Sequence, residues 1–151
     1  MEKSPEYIKA RQKAIKYIMY KMRTSYEVKN KLLELEFDEK IIDKVIYDLI
    51  QLEYINDEEF TKKFIQSNKK SKKFSKNMIK LKLKTKGIDD DIIEKYFNEI
   101  GFDEIEAIKK MLVKKHFSAE MEYEEKKKII AYCVRKGFGM NDVLRATKEI
   151  V

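Results

Sequence analysis

Few side chains in this sequence are of a type that performs catalysis, and their spacing does not assemble an active site. His116 is the only histidine and Cys133 the only cysteine among the 151 residues. One histidine cannot form a histidine-rich metal site, and as a general base it would need an orienting partner that the sequence does not supply. We therefore predict that His116 is a surface residue at a helix end and that Cys133, on an apolar stripe, packs in the core.

Carboxylates and glycines give no stronger catalytic signal. The carboxylates from Asp89 to Asp91 stand at a predicted helix start, where the helix dipole and solvent account for them. The four glycines are scattered singly, so they form no phosphate-binding loop. The lone cysteine excludes an internal disulfide, and with no secretory signal it favours a reducing cytoplasm. We expect a cytoplasmic protein that is not an enzyme and that needs no cofactor or metal.

The lysines are clustered in a way that indicates a binding function. Residues 61–86 contain eleven lysines and no acid, and an acidic block follows from Asp89 to Glu106. Because lysines bind phosphates without regard to base sequence, this run favours an anionic partner such as nucleic acid or a nucleoprotein. The alternative is a merely solvated face. The predicted contact residues, with Arg23 and Lys80 secondary, are Lys62, Lys63, Lys69, Lys70, Lys72, Lys73 and Lys76.

Three aromatic residues near the lysine run have the chemistry to stack on bases. Helical periodicity places Phe64 and Tyr96 in the core. Phe74, which stands between Lys73 and a capping serine, is the best candidate for partial exposure. The alternative role of Phe74 is a hydrophobic staple at a helix start.

Helices are the elements that must position these residues. The chain has one proline and four glycines, a composition that favours long helices and short connections, and it has no apolar run long enough to span a membrane. The first helix is predicted to bury Ile8, Ile15, Ile18 or Met19, and Met22. Each predicted helix is amphipathic, so the helices need one another for stability. Helix starts are predicted at Ser4, Ser25, Asp38, Asn56, Ser75 and Asp89.

Similar corners recur about every 50 residues, which indicates an internal repeat. They are Glu36-Phe37-Asp38, Lys86-Gly87-Ile88-Asp89 and Lys136-Gly137-Phe138, each followed by a short helix. We predict an all-α protein of three tandem three-helix repeats, at 6–53, 56–101 and 103–151. Such repeats form an elongated, curved molecule with a long binding face. The alternative is a single irregular helical bundle.

Four segments match, in order and spacing, the signature of one protein family. They are Lys21–Val28 with Leu32, Tyr54–Thr61, and the corners at Gly87 and Gly137. These segments resemble the RecX family, regulators of the RecA recombinase, over nearly the whole chain. The departures are Glu53 and Thr61, where the family usually has glycine and alanine, and Phe74-Ser75, near which it often has glycine.

The resemblance implies a molecule that lies in the groove of the RecA–single-stranded DNA filament and bridges neighbouring subunits. It implies weaker ATP hydrolysis, strand exchange and co-protease activity, and a role in DNA repair, recombination and the SOS response. The expected partners are the RecA filament and, through it, single-stranded DNA, with no membrane and with the protein a monomer. Two alternatives remain at this stage, a stand-alone basic helical DNA-binding module and a purely protein-binding scaffold.

Overall fold

The computed structural model of the chain describes residues 4–150, and these residues form nine α-helices and no strand. The all-helical prediction is therefore confirmed. None of the described helices is both long and apolar enough to cross a membrane. The helices are α1 Pro5–Tyr20, α2 Ser25–Glu34, α3 Glu39–Gln51, α4 Asp57–Ser71, α5 Lys76–Thr85, α6 Asp90–Ile100, α7 Glu104–Lys114, α8 Tyr123–Arg135 and α9 Met140–Glu149.

The described residues divide into two compact units. The first unit comprises the residues up to Lys63 together with Leu83–Ile93, and the second comprises Phe64–Lys82 together with the residues from Glu94 onward. Helices α4, α5 and α6 each contribute residues to both units.

The core of the first unit is built by α1, α2 and α3, which pack against one another in all three pairs. Apolar residues of α2 and α3 enter this core, including Val28, Leu32 and Leu49, all fully buried. Because the helices are only 10 to 16 residues long, packing of these apolar faces supplies most of their stability.

The stripe predicted for α1 is wrong at three of its positions. Ile8, Met19 and Met22 are exposed, Met19 by 76% of its surface, whereas Tyr7, Ala10 and Ala14 are buried. Ile15 and Ile18 lie at the edge of the core and are only partly buried. The small alanine side chains let α1 approach α2 and α3 closely, so the helix turns its alanine face inward. A count of large apolar residues on the helix did not anticipate this.

The core of the second unit is built by α7, α8 and α9. Its buried members include Ile108 and Leu112 of α7, Cys133 of α8 and Val143 of α9. Phe138, which lies between α8 and α9, is also buried. In α9, Val143 is buried, whereas the neighbouring Leu144 is 42% exposed.

Helix starts follow the sequence expectations at most positions. The hydroxyl of Ser4 accepts a hydrogen bond from the backbone N–H of Tyr7, and that of Ser75 accepts one from Met78. The side chain of Asn56 accepts one from Glu59 in the same way. These bonds satisfy N–H groups that the first turn of a helix leaves without a partner. Asp38 occupies the cap position of α3, but its side chain makes no capping bond.

The predicted cap at Ser25 is wrong by one residue. Thr24 caps α2, and Ser25 is the first helical residue. Thr24 accepts from the N–H of Glu27, whose carboxylate accepts from the N–H of Thr24 in return. This reciprocal pair is a capping box, which requires Glu three residues after the cap, and only Thr24 has that spacing.

The corners after α2, α5 and α8 share one backbone geometry. The residues Glu36, Gly87 and Gly137 have positive φ angles of 66°, 80° and 103°. The next residue donates its N–H to a carbonyl one turn back, as Ile88 does to Leu83 and Phe138 to Cys133. This hydrogen bond defines the Schellman motif at a helix C-terminus, where the left-handed backbone conformation at one position favours glycine. The recurrence predicted from the sequence therefore has a common structural cause.

The start of a middle helix is tied to a glycine corner in both units by the same set of bonds. In the first unit, the hydroxyl of Thr24 donates to the carbonyl of Lys86 at 2.7 Å. In the second unit, the hydroxyl of Ser75 donates to the carbonyl of Lys136 at 3.1 Å. Both hydroxyl-bearing residues are fully buried. Each hydroxyl therefore satisfies one carbonyl and caps one helix at the same time.

A carboxylate completes each of these joints. The backbone N–H of Ser25 donates to Asp57 at 2.8 Å, and the corresponding N–H of Lys76 donates to Glu104 at 3.3 Å. Asp57 and Glu104 are the first residues of α4 and α7. The glycines are needed for space as well as for φ. A Cβ at Gly87 would lie 2.3 Å from the Cβ of Tyr26, and one at Gly137 would lie 2.4 Å from the Oγ of Ser75.

Candidate interaction surface

Three of the predicted contact residues lie in the first unit. The guanidinium of Arg23 stacks 3.8 Å above the ring of Tyr17, and its Nε donates to the backbone carbonyl of Tyr17. Lys62 and Lys63 lie in the middle of α4, and Lys63 is 3.9 Å from the carboxylate of Glu59. Arg23 is thus held by an aromatic ring, and the charge of Lys63 is partly balanced.

The other six predicted contact residues lie in the second unit, on the last turns of α4, the following turn and the start of α5. The ammonium of Lys69 donates to the carbonyl of Ile100 at the end of α6, and Lys80 pairs with Glu94. Lys76 lies over the ring of Phe97 at 5.3 Å. Lys70, Lys72 and Lys73 are exposed, and in the described part of the chain they form no ion pair.

Lysines at the C-terminal end of the run are also engaged with acids. Within the first unit, Lys84 pairs with Asp90 at 3.0 Å and Lys86 with Glu27 at 3.4 Å. The acidic block that follows the lysine run in sequence therefore neutralises part of the run itself. The cations left for a partner are concentrated around the turn at Lys72 and Lys73.

That turn forms one wall of a cleft inside the second unit, with a volume of about 620 Å³. Six lysines and no acid line the cleft, together with Phe74, Met111 and Tyr132. The lysines come from the turn after α4, from α7 and from the end of α8, and they are Lys72, Lys73, Lys110, Lys114, Lys115 and Lys136. All six are exposed, and none forms an ion pair with any residue between 4 and 150.

Four of these lysines were not among the predicted contact residues. Lys110 and Lys114 lie on α7 and Lys115 directly follows it, in a segment that also contains acids, so their charge did not stand out along the sequence. The pairs Lys109-Lys110 and Lys114-Lys115 were the available signal, because residues four apart share a face of a helix. Only the packing of the helices brings that face beside the turn at Lys73.

Hydrogen bonds hold the walls of the cleft in place. The ammonium of Lys110 donates to the carbonyl of Ser71 at 2.7 Å, which ties α7 to the end of α4. Ser75, directly after Phe74, donates to the carbonyl of Lys136, which ties the start of α5 to the end of α8. These bonds join the three segments that form the walls of the cleft.

The three aromatic residues near the lysine run are all half-buried. The partial exposure predicted for Phe74 is confirmed, and its ring lines the cleft. Phe64 and Tyr96, predicted to lie in the core, keep part of their surface in contact with solvent. Tyr132, which the sequence analysis did not single out, provides a second ring in the cleft, with the ammonium of Lys115 4.0 Å from its centroid.

Neither His116 nor Cys133, the two residues whose types could do catalysis, lines the cleft. His116 is exposed, with a φ of 60° just after the end of α7, as predicted. Cys133 is buried, and this burial raises the pKa of its thiol, which disfavours the reactive thiolate. Within residues 4–150, no three His, Cys, Asp or Glu side chains form a group able to hold a metal ion.

Comparison with family models matches most of the chain. Residues 10–49 match the RecX first three-helix domain, residues 56–96 the second and residues 103–147 the third. A crystal structure of RecX from Lactobacillus salivarius superposes with a TM-score of 0.79 at 28% sequence identity, and it covers 96% of both chains. A second crystal structure of regulatory protein RecX has a TM-score of 0.82 at 21% identity, which shows similarity of fold.

Curated relatives agree with these matches. Regulatory protein RecX of Clostridium tetani is 33% identical over 150 residues, covering 96% of this chain and 68% of the relative. That of Clostridium acetobutylicum is 30% identical over 151 residues, covering 95% and 70%. That of Bacillus velezensis is 32% identical over 146 residues, covering 93% of this chain, which spans only 54% of the relative's length. With three tandem three-helix domains matched in order, this chain belongs to the RecX family of regulatory proteins.

Proposed function

We propose that this chain binds the filament that RecA forms on single-stranded DNA and mainly inhibits its ATPase, strand-exchange and co-protease activities. The match of all three RecX domains, in order, to the helices of this chain is the observation that carries the proposal. The matched relatives are named as regulatory proteins, which supports a role in binding and not in catalysis. The chain spans about half the length of its Bacillus relatives, so their complete activity comes to this chain only as a proposal.

Charge supports an anionic partner that also presents protein. Residues 61–86 carry eleven lysines, yet several of them pair with acids of this chain. Bare DNA presents only negative charge at its phosphates, which the acidic residues of this chain would repel. A nucleoprotein presents both phosphates and protein side chains, so it complements a surface of mixed sign better. The proposed contact residues remain Lys62, Lys63, Lys69, Lys70, Lys72, Lys73 and Lys76, with Arg23 and Lys80 secondary.

Domain bounds, assembly and location belong to the same proposal. We assign the three repeats to 6–53, 56–101 and 103–151, and we propose a monomer that acts in the cytoplasm, where a DNA filament is found. Single-stranded DNA is reached through the filament. No cofactor enters the proposed mechanism, since inhibition by binding needs none.

The proposal is tested by measuring the DNA-dependent ATPase of RecA with increasing amounts of this chain. Inhibition is expected. Saturation at a few chains per filament would indicate capping of filament ends, and saturation near one chain per several RecA subunits would indicate occupation of the groove. An unchanged ATPase, together with no co-sedimentation of the chain with the filament, would refute the proposal.

A charge-reversal variant tests the contact residues. Lys70→Glu, Lys72→Glu and Lys73→Glu together change three exposed lysines that form no described ion pair. The triple variant is expected to lose most of its inhibition, with unchanged helical content by circular dichroism. The matched control reverses Lys9, Lys13 and Lys16, which are three exposed lysines of α1. Equal inhibition by the two variants would show that the α4–α5 lysines are the wrong surface.

A further inference from the structure

We propose that the cleft of the second unit binds a short stretch of single-stranded nucleic acid directly, without a protein partner. The cleft is the one lined by Lys72, Lys73, Phe74, Lys110, Lys114, Lys115, Tyr132 and Lys136. Phosphates would contact the lysines at the rim, and bases would stack on the ring of Phe74 or of Tyr132. The inference does not rest on the proposed function, because it concerns free nucleic acid and residues of one unit alone.

Uncompensated charge is the first argument. Six ammonium groups share one cleft, and none of them has a carboxylate partner among the described residues. Some lysines outside the cleft have one, as Lys80 has Glu94 and Lys109 has Glu106 and Glu149. Like charges that are close together repel one another at physiological salt, where the screening length is about 8 Å. A chain of phosphates would relieve this repulsion and release its counterions.

The position of the lysines in the free protein is the second argument. Lys115 and Lys136 place their ammonium groups 4.0 and 5.4 Å from the ring centroid of Tyr132. Such cation–π contacts are weak at exposed sites, so a phosphate displaces the lysine easily. Displacement then leaves the tyrosine ring free to stack on a base. Lys115 and Lys136 are therefore able to bind a phosphate and, by moving, to expose the ring of Tyr132.

Aromatic rings favour a single strand over a duplex. A duplex keeps its bases stacked inside and offers only phosphates and groove edges to a cleft of this kind. A single strand has free base faces, which stack on aromatic side chains whatever the sequence. Phe74 and Tyr132 line the cleft and Met111 adds apolar surface, so unstacked bases find partners there.

An acidic peptide is a poorer fit for the same cleft. Carboxylates are bound most specifically by the planar fork of arginine, whereas lysine acts as a point charge suited to phosphate. Every cation that lines the cleft is a lysine. Two aromatic rings would also have no matching group in a peptide of aspartates and glutamates.

The test uses fluorescence anisotropy with a labelled oligo-dT and no RecA in the sample. Wild-type protein is compared with the double variant Lys114→Gln, Lys115→Gln. Each lost lysine contact removes about 0.7 from the slope of log K against log salt, so the slope is expected to fall by about 1.4. At about 0.15 M salt the same loss corresponds to roughly tenfold weaker binding. Tyr132→Leu, which keeps all charges, is expected to weaken oligo-dT binding about tenfold.

The matched control is Arg145→Gln, Lys148→Gln. It removes two positive charges from exposed positions of α9 in the same unit, outside the cleft. Oligo-dT binding by this control is expected to stay within about twofold of wild type. Equal losses in the two double variants would overturn the proposal, because binding would then follow net charge and not the cleft.

Two competitors complete the test. A duplex of the same length is expected to bind more weakly than oligo-dT. Equal binding of the duplex, with no effect of Tyr132→Leu, would overturn the assignment to single strands. Polyglutamate is expected to compete poorly, and competition as strong as that of oligo-dT would make the cleft a site for acidic protein. RecA is absent throughout, so a negative outcome leaves the inhibition of its ATPase as a separate question.

Discussion

Substitution of Gly87 by alanine introduces two destabilising effects, a strained backbone at positive φ and a steric clash of the added Cβ, and a matched variant separates them. Gly87 and Gly101 both follow a helix and have similar positive φ angles, 80° and 74°. They differ in the space around them. A Cβ at Gly87 would lie 2.3 Å and 2.5 Å from the Cβ and Cγ of Tyr26, whereas a Cβ at Gly101 would meet no atom within 4 Å. Gly101→Ala is therefore the matched control for Gly87→Ala.

The magnitudes follow from these distances. The left-handed backbone costs an alanine about 1–2 kcal/mol at either position. At Gly87 the added carbon also overlaps the Cβ of Tyr26, which is fixed to the α2 backbone and cannot rotate away. Overpacking of this kind costs a further ~1–3 kcal/mol. We expect Gly87→Ala to lose about 2–5 kcal/mol of stability and Gly101→Ala about 1–2 kcal/mol.

Urea denaturation followed by circular dichroism at the helical signal measures both variants against wild type. For a chain of this size, the expected difference between the variants corresponds to a melting temperature lower by several degrees for Gly87→Ala. Equal losses in the two variants would refute the argument, because they would show that φ alone, and not the approach of α2, requires glycine at residue 87.

Three further changes are expected to alter stability in defined directions. Thr24→Val removes a buried hydroxyl that caps α2 and donates to the carbonyl of Lys86. Urea denaturation should show a loss of about 2–4 kcal/mol in the free energy of unfolding, whereas Thr24→Ser, which keeps the hydroxyl, should lose under about 1 kcal/mol. Glu53→Gly relieves a left-handed φ of 62° after α3 and should raise stability by about 1 kcal/mol, and Glu53→Ala, which keeps the strain, should give no gain. Burial raises the pKa of the Glu104 carboxyl above its ordinary range, so the folded state holds this proton more tightly than the unfolded state does. The resulting contribution of Glu104 to the free energy of unfolding is complete below the unfolded-state pKa and is lost as pH rises through the folded-state pKa. Urea titrations between about pH 4 and 7 should therefore show wild type losing stability relative to Glu104→Gln as pH rises, and a constant difference would contradict the assignment.

The charge pattern shows where a linear view of the sequence is incomplete. In the sequence, residues 61–86 contain eleven lysines and no acid, and an acidic block follows them. In the folded chain, Lys80 and Lys84 pair with acids of α6, and Lys86 pairs with Glu27 of α2. Lys72 and Lys73, which form no ion pair with the described residues, line a cleft together with lysines from α7 and the end of α8. Charges that share a surface are therefore a property of the fold more than of the run.

Local interactions explain what could be predicted from the sequence. Caps at Ser4 and Ser75, the left-handed corner at Gly87 and the 50-residue recurrence depend on hydrogen bonds between residues three to five positions apart. Such bonds are encoded by residue type and spacing, so the helices and the repeat were accessible without coordinates. Family membership followed from the same corners, because they carry the residues that the family shares.

Only tertiary structure decided which surfaces are buried and which charges meet. The alanine face of α1 lies inward because small side chains allow a close approach to α2 and α3, and Ala10 and Ala14 are fully buried there. Lys110, Lys114 and Lys115 joined Lys73 and Tyr132 because α7 and α8 pack beside the end of α4. These outcomes depend on contacts between residues far apart in the chain, whose energies are not visible until the helices are placed. Residue type and spacing encode the helices and most of their caps, whereas the packing of the helices creates the cleft.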